Sequence, residues 1–118
     1  MALSTDLMGT GIAYNSADKL GYNPQTLAAA GTTQGTAAVA VSKCIEMTAT
    51  GSDGIILGNV DIGTPCWVFN SSASTGLVYV PSGHTLNTTL NGSLSLATHK
   101  GGCLVQYKNK FWMSLLTA

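Results

Sequence analysis

The chain has 118 residues, enough for one domain with a single core, and five lysines balance five acids so that it carries no net charge. Only 8% of its residues are charged and none is arginine, which excludes the basic stripe of a nucleic-acid binder. Its mean hydropathy of +0.26 excludes a disordered chain, and no apolar run approaches the roughly 20 residues of a spanning helix.

The first 36 residues are rich in Gly, Ala, Thr and Asn and show little periodicity. Asn23 as cap, Pro24 in the first turn and Gly31 in a left-handed closing position predict a short helix over 24–30. Two turns at most cannot hold in water unaided. Residues 1–36 are therefore read as an extended N-terminal arm that gains order by lying on something else. Met1 to Asp6 shows no basic stretch leading into an apolar one, so no secretory signal is read.

From Ala37 to Ala118 the pattern is short strands divided by turns. Val39, Val41, Ile45 and Met47 alternate with Ser42, Glu46 and Thr48, the period of a half-buried strand. Gly51-Ser52-Asp53-Gly54 turns into Ile55-Ile56-Leu57, and Cys66-Trp67-Val68-Phe69 follows Gly63-Thr64-Pro65. The polar run from Asn70 to Gly76 reads as a hairpin loop before Leu77-Val78-Tyr79-Val80. Asn91-Gly92 is a strong two-residue hairpin signal, and Lys108-Asn109-Lys110 joins two terminal strands. Seven or eight short strands spaced roughly ten residues apart predict an all-β fold, a compact antiparallel β-sandwich or barrel-like domain over 37–118.

Charge is unevenly distributed. All five acids lie in residues 1–61, whereas Lys100, Lys108 and Lys110 occupy an acid-free second half. Two surfaces of opposite sign would steer head-to-tail packing of copies.

Residues able to carry chemistry are few. Cys44, Cys66 and Cys103 sit in apolar runs with no zinc-ligand spacing, as reduced core thiols do. His84 and His99 fall in turns, as surface histidines do, and no Gly-x-Ser-x-Gly elbow accompanies them. Asp53 and Asp61 occupy turn positions where Asp bonds to backbone. Trp67 and Trp112 lie within apolar runs and are read as core or subunit-interface side chains. No catalytic, metal or cofactor site is expected.

Four segments carry a resemblance: Thr48 to Leu57, Gly63 to Asn70, Val78 to Gly83, and Phe111 to Leu116. Together they resemble a module of small structural proteins of tailed bacteriophages, over roughly residues 37–116. It has a Gly-containing turn, a short aliphatic strand, a strand ending at Asn, a Val-Tyr-Pro-like strand and a late Trp. The resemblance implies a compact β domain of the kind found in head decoration (cement) proteins, head fibres and tail fibres, without catalytic residues. The function expected is a capsid decoration protein, made in the host cytoplasm and bound to the exterior of the virion head. Its expected partners are itself, as a homotrimer, and the major capsid protein. The expected interface residues are Leu3, Leu7, Met8, Ile12 and Tyr14 in the arm, with Trp67 and Trp112 in the domain. The alternative is a fibre module recognising host surface glycans through loop residues 70–74 and an exposed aromatic.

Overall fold

The computed structural model describes residues 24–116, and every regular element among them is a strand apart from one 3-10 turn at Gln34–Thr36. The strands are β1 (Gln25–Ala28), β2 (Ala38–Val39), β3 (Cys44–Thr48), β4 (Gly54–Ile56), β5 (Pro65–Asn70) and β6 (Gly76–Tyr79). They continue as β7 (Thr85–Leu86), β8 (Thr89–Leu90), β9 (Ser93–Leu96), β10 (Gly101–Lys108) and β11 (Phe111–Leu116). The larger sheet has the order β1-β3-β5-β10-β11-β7-β8, and the smaller one β2-β4-β6-β9. The domain is all-β, with one core between two sheets.

The pairing is mixed, not antiparallel throughout. The strands from β1 to β6 alternate between the sheets, and β1, β3, β5 and β2, β4, β6 pair in parallel. The chain thus winds as three stacked coils of about 20 residues. Antiparallel pairing predominates in the second half, where β9 joins β6, β10 joins β5 and β11 joins β10, while the short β7 lies parallel to β11. A period-two side-chain pattern is the same in either direction; the connections decide. Each early connection crosses to the other sheet, so the next strand of the same sheet arrives one coil later, running the same way.

Several local expectations are corrected for the same reason. The stretch 24–30 is not a helix: Gln25 to Ala28 form β1, held against Ile45 to Thr48 of β3. Leu27 packs on the core from there, and this tertiary contact outweighs the helix preference of the alanines. Gly31 does take the left-handed conformation (φ 70°), but between β1 and the 3-10 turn. The Asn70–Gly76 loop is a corner between sheets, and Asn91-Gly92 likewise links strands of different sheets. The tight hairpin lies at Asn87-Thr88, both with positive φ, between the antiparallel β7 and β8. The alternating run at 39–48 is broken, so that Val39 and Val41 are exposed while Ile45 and Met47 are buried.

The core is built from the inward residues of both sheets. Ile45, Met47, Cys66, Val68, Leu104 and Trp112 face Ile55, Val78, Val80, Leu94 and Leu96. Burying each large apolar side chain stabilises the fold by about 1.5–3 kcal/mol. Gly76 is required at the start of β6, because a Cβ there would stand 2.5 Å from Met47 Cε.

Two buried amides tie the loops to the ends of this core. Gln106 donates to the Val60 carbonyl at 2.6 Å and accepts from the Lys110 amide at 2.9 Å. Asn70, fully buried at the end of β5, donates to the carbonyls of Ser74 (2.7 Å), Leu96 (2.9 Å) and Ala97 (3.3 Å). Its Oδ1 accepts from the Ser72 amide at 3.1 Å and the Ser72 hydroxyl at 2.6 Å. Replacing this side chain leaves buried carbonyls without a donor. Asn70→Ala is expected to lower unfolding free energy by about 3 kcal/mol, read as a lower urea midpoint at unchanged slope.

Candidate functional site

A sheet with one covered face normally alternates apolar inward with polar outward. Strands β5, β10 and β11 break that rule. Their inward residues fill the core, yet their outward residues are also apolar. The register sets Cys44, Trp67, Cys103 and Leu115 in one row across β3, β5, β10 and β11. Pro65, Val105 and Met113 form the next row, and Phe69 stands beside Gly101 on the other side. Trp67 is 52% exposed, with Phe69, Met113 and Leu115 exposed around it.

A groove of about 330 Å³ runs over this face, lined by Cys44, Trp67, Phe69, Gly101, Cys103 and Leu115. Gly101, directly opposite Phe69, offers no side chain to fill it. At one border Glu46 accepts a hydrogen bond from the Thr26 hydroxyl at 3.2 Å. Toward the hairpin end the Lys108 ammonium lies 4.5 Å from the centre of the Phe111 ring. Between these two border charges the outward side chains of β5, β10 and β11 are uncharged.

The two tryptophans separate. Trp67 belongs to this outer face, whereas Trp112 is 0% exposed in the core and offers nothing to a partner. Leu3, Leu7, Met8, Ile12 and Tyr14 lie outside the described residues. The Gly63 amide donates to the Gln106 carbonyl at 2.8 Å, bringing the loop that holds Asp61 to the end of β10 that leads to Lys108 and Lys110.

Burial and hydrogen bonding set the state of Asp53, Cys66 and Cys103. All three cysteines are free thiols. Burial, then the nearby Cys103, pushes the Cys66 thiol up to about 11, and burial raises Cys103 as well. Neither is a ready nucleophile at neutral pH. For Asp53 burial opposes ionisation, but hydrogen bonds from the Thr50 hydroxyl (2.8 Å), the Thr50 amide (2.9 Å) and the Gly51 amide (3.1 Å) prevail. Its carboxyl is held below the ordinary value, as a turn anchor. No group of three or more His, Cys, Asp or Glu converges among the described residues.

His84 is buried, not the surface turn residue its sequence context predicts. The Trp112 indole Nε1–H donates to its Nδ1 at 2.9 Å, so the neutral ring carries its proton on Nε2. Residues 28 positions apart meet here, and no local pattern signals the pair. No family model, curated protein or solved structure matches the chain.

Burial, and then the charge of Lys110, hold the His84 pKa below 6.5. Between that lowered value and 6.5 the unfolded chain binds more protons than the folded one, so stability falls as pH falls. Urea midpoints measured downward from pH 7.5 are expected to decline once pH drops below about 6.5. His84→Gln is expected to remove that decline across the same window.

Proposed function

We propose that this chain is a capsid decoration protein of a tailed bacteriophage. It attaches in several copies to the outer surface of the head and stabilises the shell through contacts with neighbouring copies and with the major capsid protein. The observation that carries this reading is the apolar outer face of the larger sheet. A domain that spends side chains as large as Trp67, Phe69, Met113 and Leu115 on its exterior works by being covered.

The chain's neutrality supports the same reading. With 8% charged residues, far fewer than the roughly 25% of an ordinary soluble domain, the surface is desolvated at little cost and identical copies do not repel one another. Strand β1 supports it too. It is one of the two edge strands of the larger sheet, and in sequence residues 1–23 precede it. In this reading the N-terminal arm, expected over residues 1–36, docks on a shell neighbour by strand addition through the part that precedes β1. Several arms on one oligomer raise avidity well beyond that of a single arm.

Co-sedimentation of the purified chain with shells assembled from the same virus's major capsid protein tests the proposal. The full chain is expected to pellet with shells at saturable stoichiometry. A variant lacking residues 1–15 is expected to stay folded and soluble but remain in the supernatant. Equal pelleting of the two rejects the role of the arm, and no pelleting of either rejects the decoration reading.

A further inference from the structure

We infer that the outer face of β5, β10 and β11 is the seam between copies of this chain, with Trp67 at its centre. The inference extends the decoration reading, which requires copies to join, by naming the surface and its occupant. Four observations lead to it.

The first is extent. Trp67, Phe69, Tyr107, Phe111, Met113 and Leu115 are all at least a third exposed and lie on three adjacent strands. At about 200 Å² for a fully exposed large side chain, they present on the order of 500 Å² of apolar surface. A standard interface removes about 800 Å² from each partner, with an apolar centre and a polar rim. The face is sized to be such a centre.

The second is charge. The outward positions of β5 are Pro65, Trp67 and Phe69, those of β10 are Gly101, Cys103, Val105 and Tyr107, and those of β11 are Phe111, Met113 and Leu115. None of these carries a charge, and the charges nearest to them, Glu46 opposite Phe69 and Lys108 opposite Phe111, stand at the two borders. A partner with the usual density of charged residues would bury charges against the apolar centre between those borders. A copy of this chain presents a surface of the same uncharged kind, and a chain of net charge zero brings no repulsion to the encounter.

The third is shape. Gly101 and the small Cys103 form a floor between the larger Trp67 and Phe69 on one side and Leu115 on the other. A groove between ridges on one copy accepts a ridge from the next, which is the self-complementarity that closed symmetric assemblies need. Aromatic and Met side chains at the centre of such a patch are the residue types on which interface energy concentrates.

The fourth is economy of position. Trp67 stands on β5, which pairs with β3 on one side and β10 on the other. A face in mid-sheet is rigid, so little ordering entropy is lost when it is covered.

Sedimentation velocity and native mass spectrometry of the full chain at micromolar concentration, without shells, test the seam. The wild type is expected to sediment as a closed oligomer of the 12.1 kDa chain, three copies on the decoration reading. Trp67→Lys and, independently, Leu115→Glu are each expected to shift it to monomer. Both are expected to retain the near-ultraviolet dichroism of the buried Trp112. Val41→Lys, altering a side chain 86% exposed at another place, is expected to leave the oligomer intact. A monomeric wild type overturns the inference, whether Trp67 is then bare or covered by the chain's own residues. Oligomers that persist in both folded face variants overturn it equally. An oligomer that dissociates as described but does not bind shells upholds the seam and counts against the decoration reading alone.

Discussion

The register of β5 is the constraint on which the rest of the molecule depends. Its inward side chains, Cys66, Val68 and Asn70, are fully or almost fully buried, and its outward ones, Trp67 and Phe69, are about half exposed. A slip of one residue would exchange the two sets, driving Trp67 into a core with no room for it and carrying Asn70 to the surface. Asn70 opposes that slip. Its side-chain nitrogen and oxygen together engage Ser72, Ser74, Leu96 and Ala97, so the corner leaving β5 and the end of β9 are fixed by one side chain. Because β5 joins the parallel coils to the antiparallel closing strands, fixing it fixes both halves.

Much of this is legible in the sequence, and what is not has physical reasons. The apolar runs at Pro65–Asn70, Gly101–Lys108 and Phe111–Leu116 are strands in the structure, since alternation and β-rich composition are local properties. The hairpin around Asn109 is equally local, with Lys110 at φ 66° in its turn. Strand direction is a property of connections, and Asn70 to Gly76 has the same composition whether it folds back or crosses to the facing sheet. β1 is hidden because its stability comes from β3, about twenty residues on, while Ala28 and the two alanines that follow it favour helix.

The candidate site divides in the same way. Trp67 stands out in the sequence as a large aromatic in a strand, but which side of the sheet it faces follows only from the pairing. Val105, Met113 and Leu115 attract no notice singly, and Cys103 reads as a core thiol; they become a surface once β10 and β11 are laid beside β5. Trp112 looks the same as Trp67 in sequence and turns out to be core, bonded to a histidine 28 positions away. Long-range register, not residue type, separates structure from surface here.

A sheet apolar on both faces is unstable as an exterior and stable as an interior. In the proposed assembly this face is therefore interior. Hydroxyl-radical footprinting, with oxidation read residue by residue in concentrated and in dilute protein, tests that claim most directly. Protection of Trp67 and Met113 at high concentration, released on dilution while Val41 is labelled throughout, is the predicted result. Equal oxidation of Trp67 and Met113 at both concentrations, in protein shown to be assembled, would contradict it.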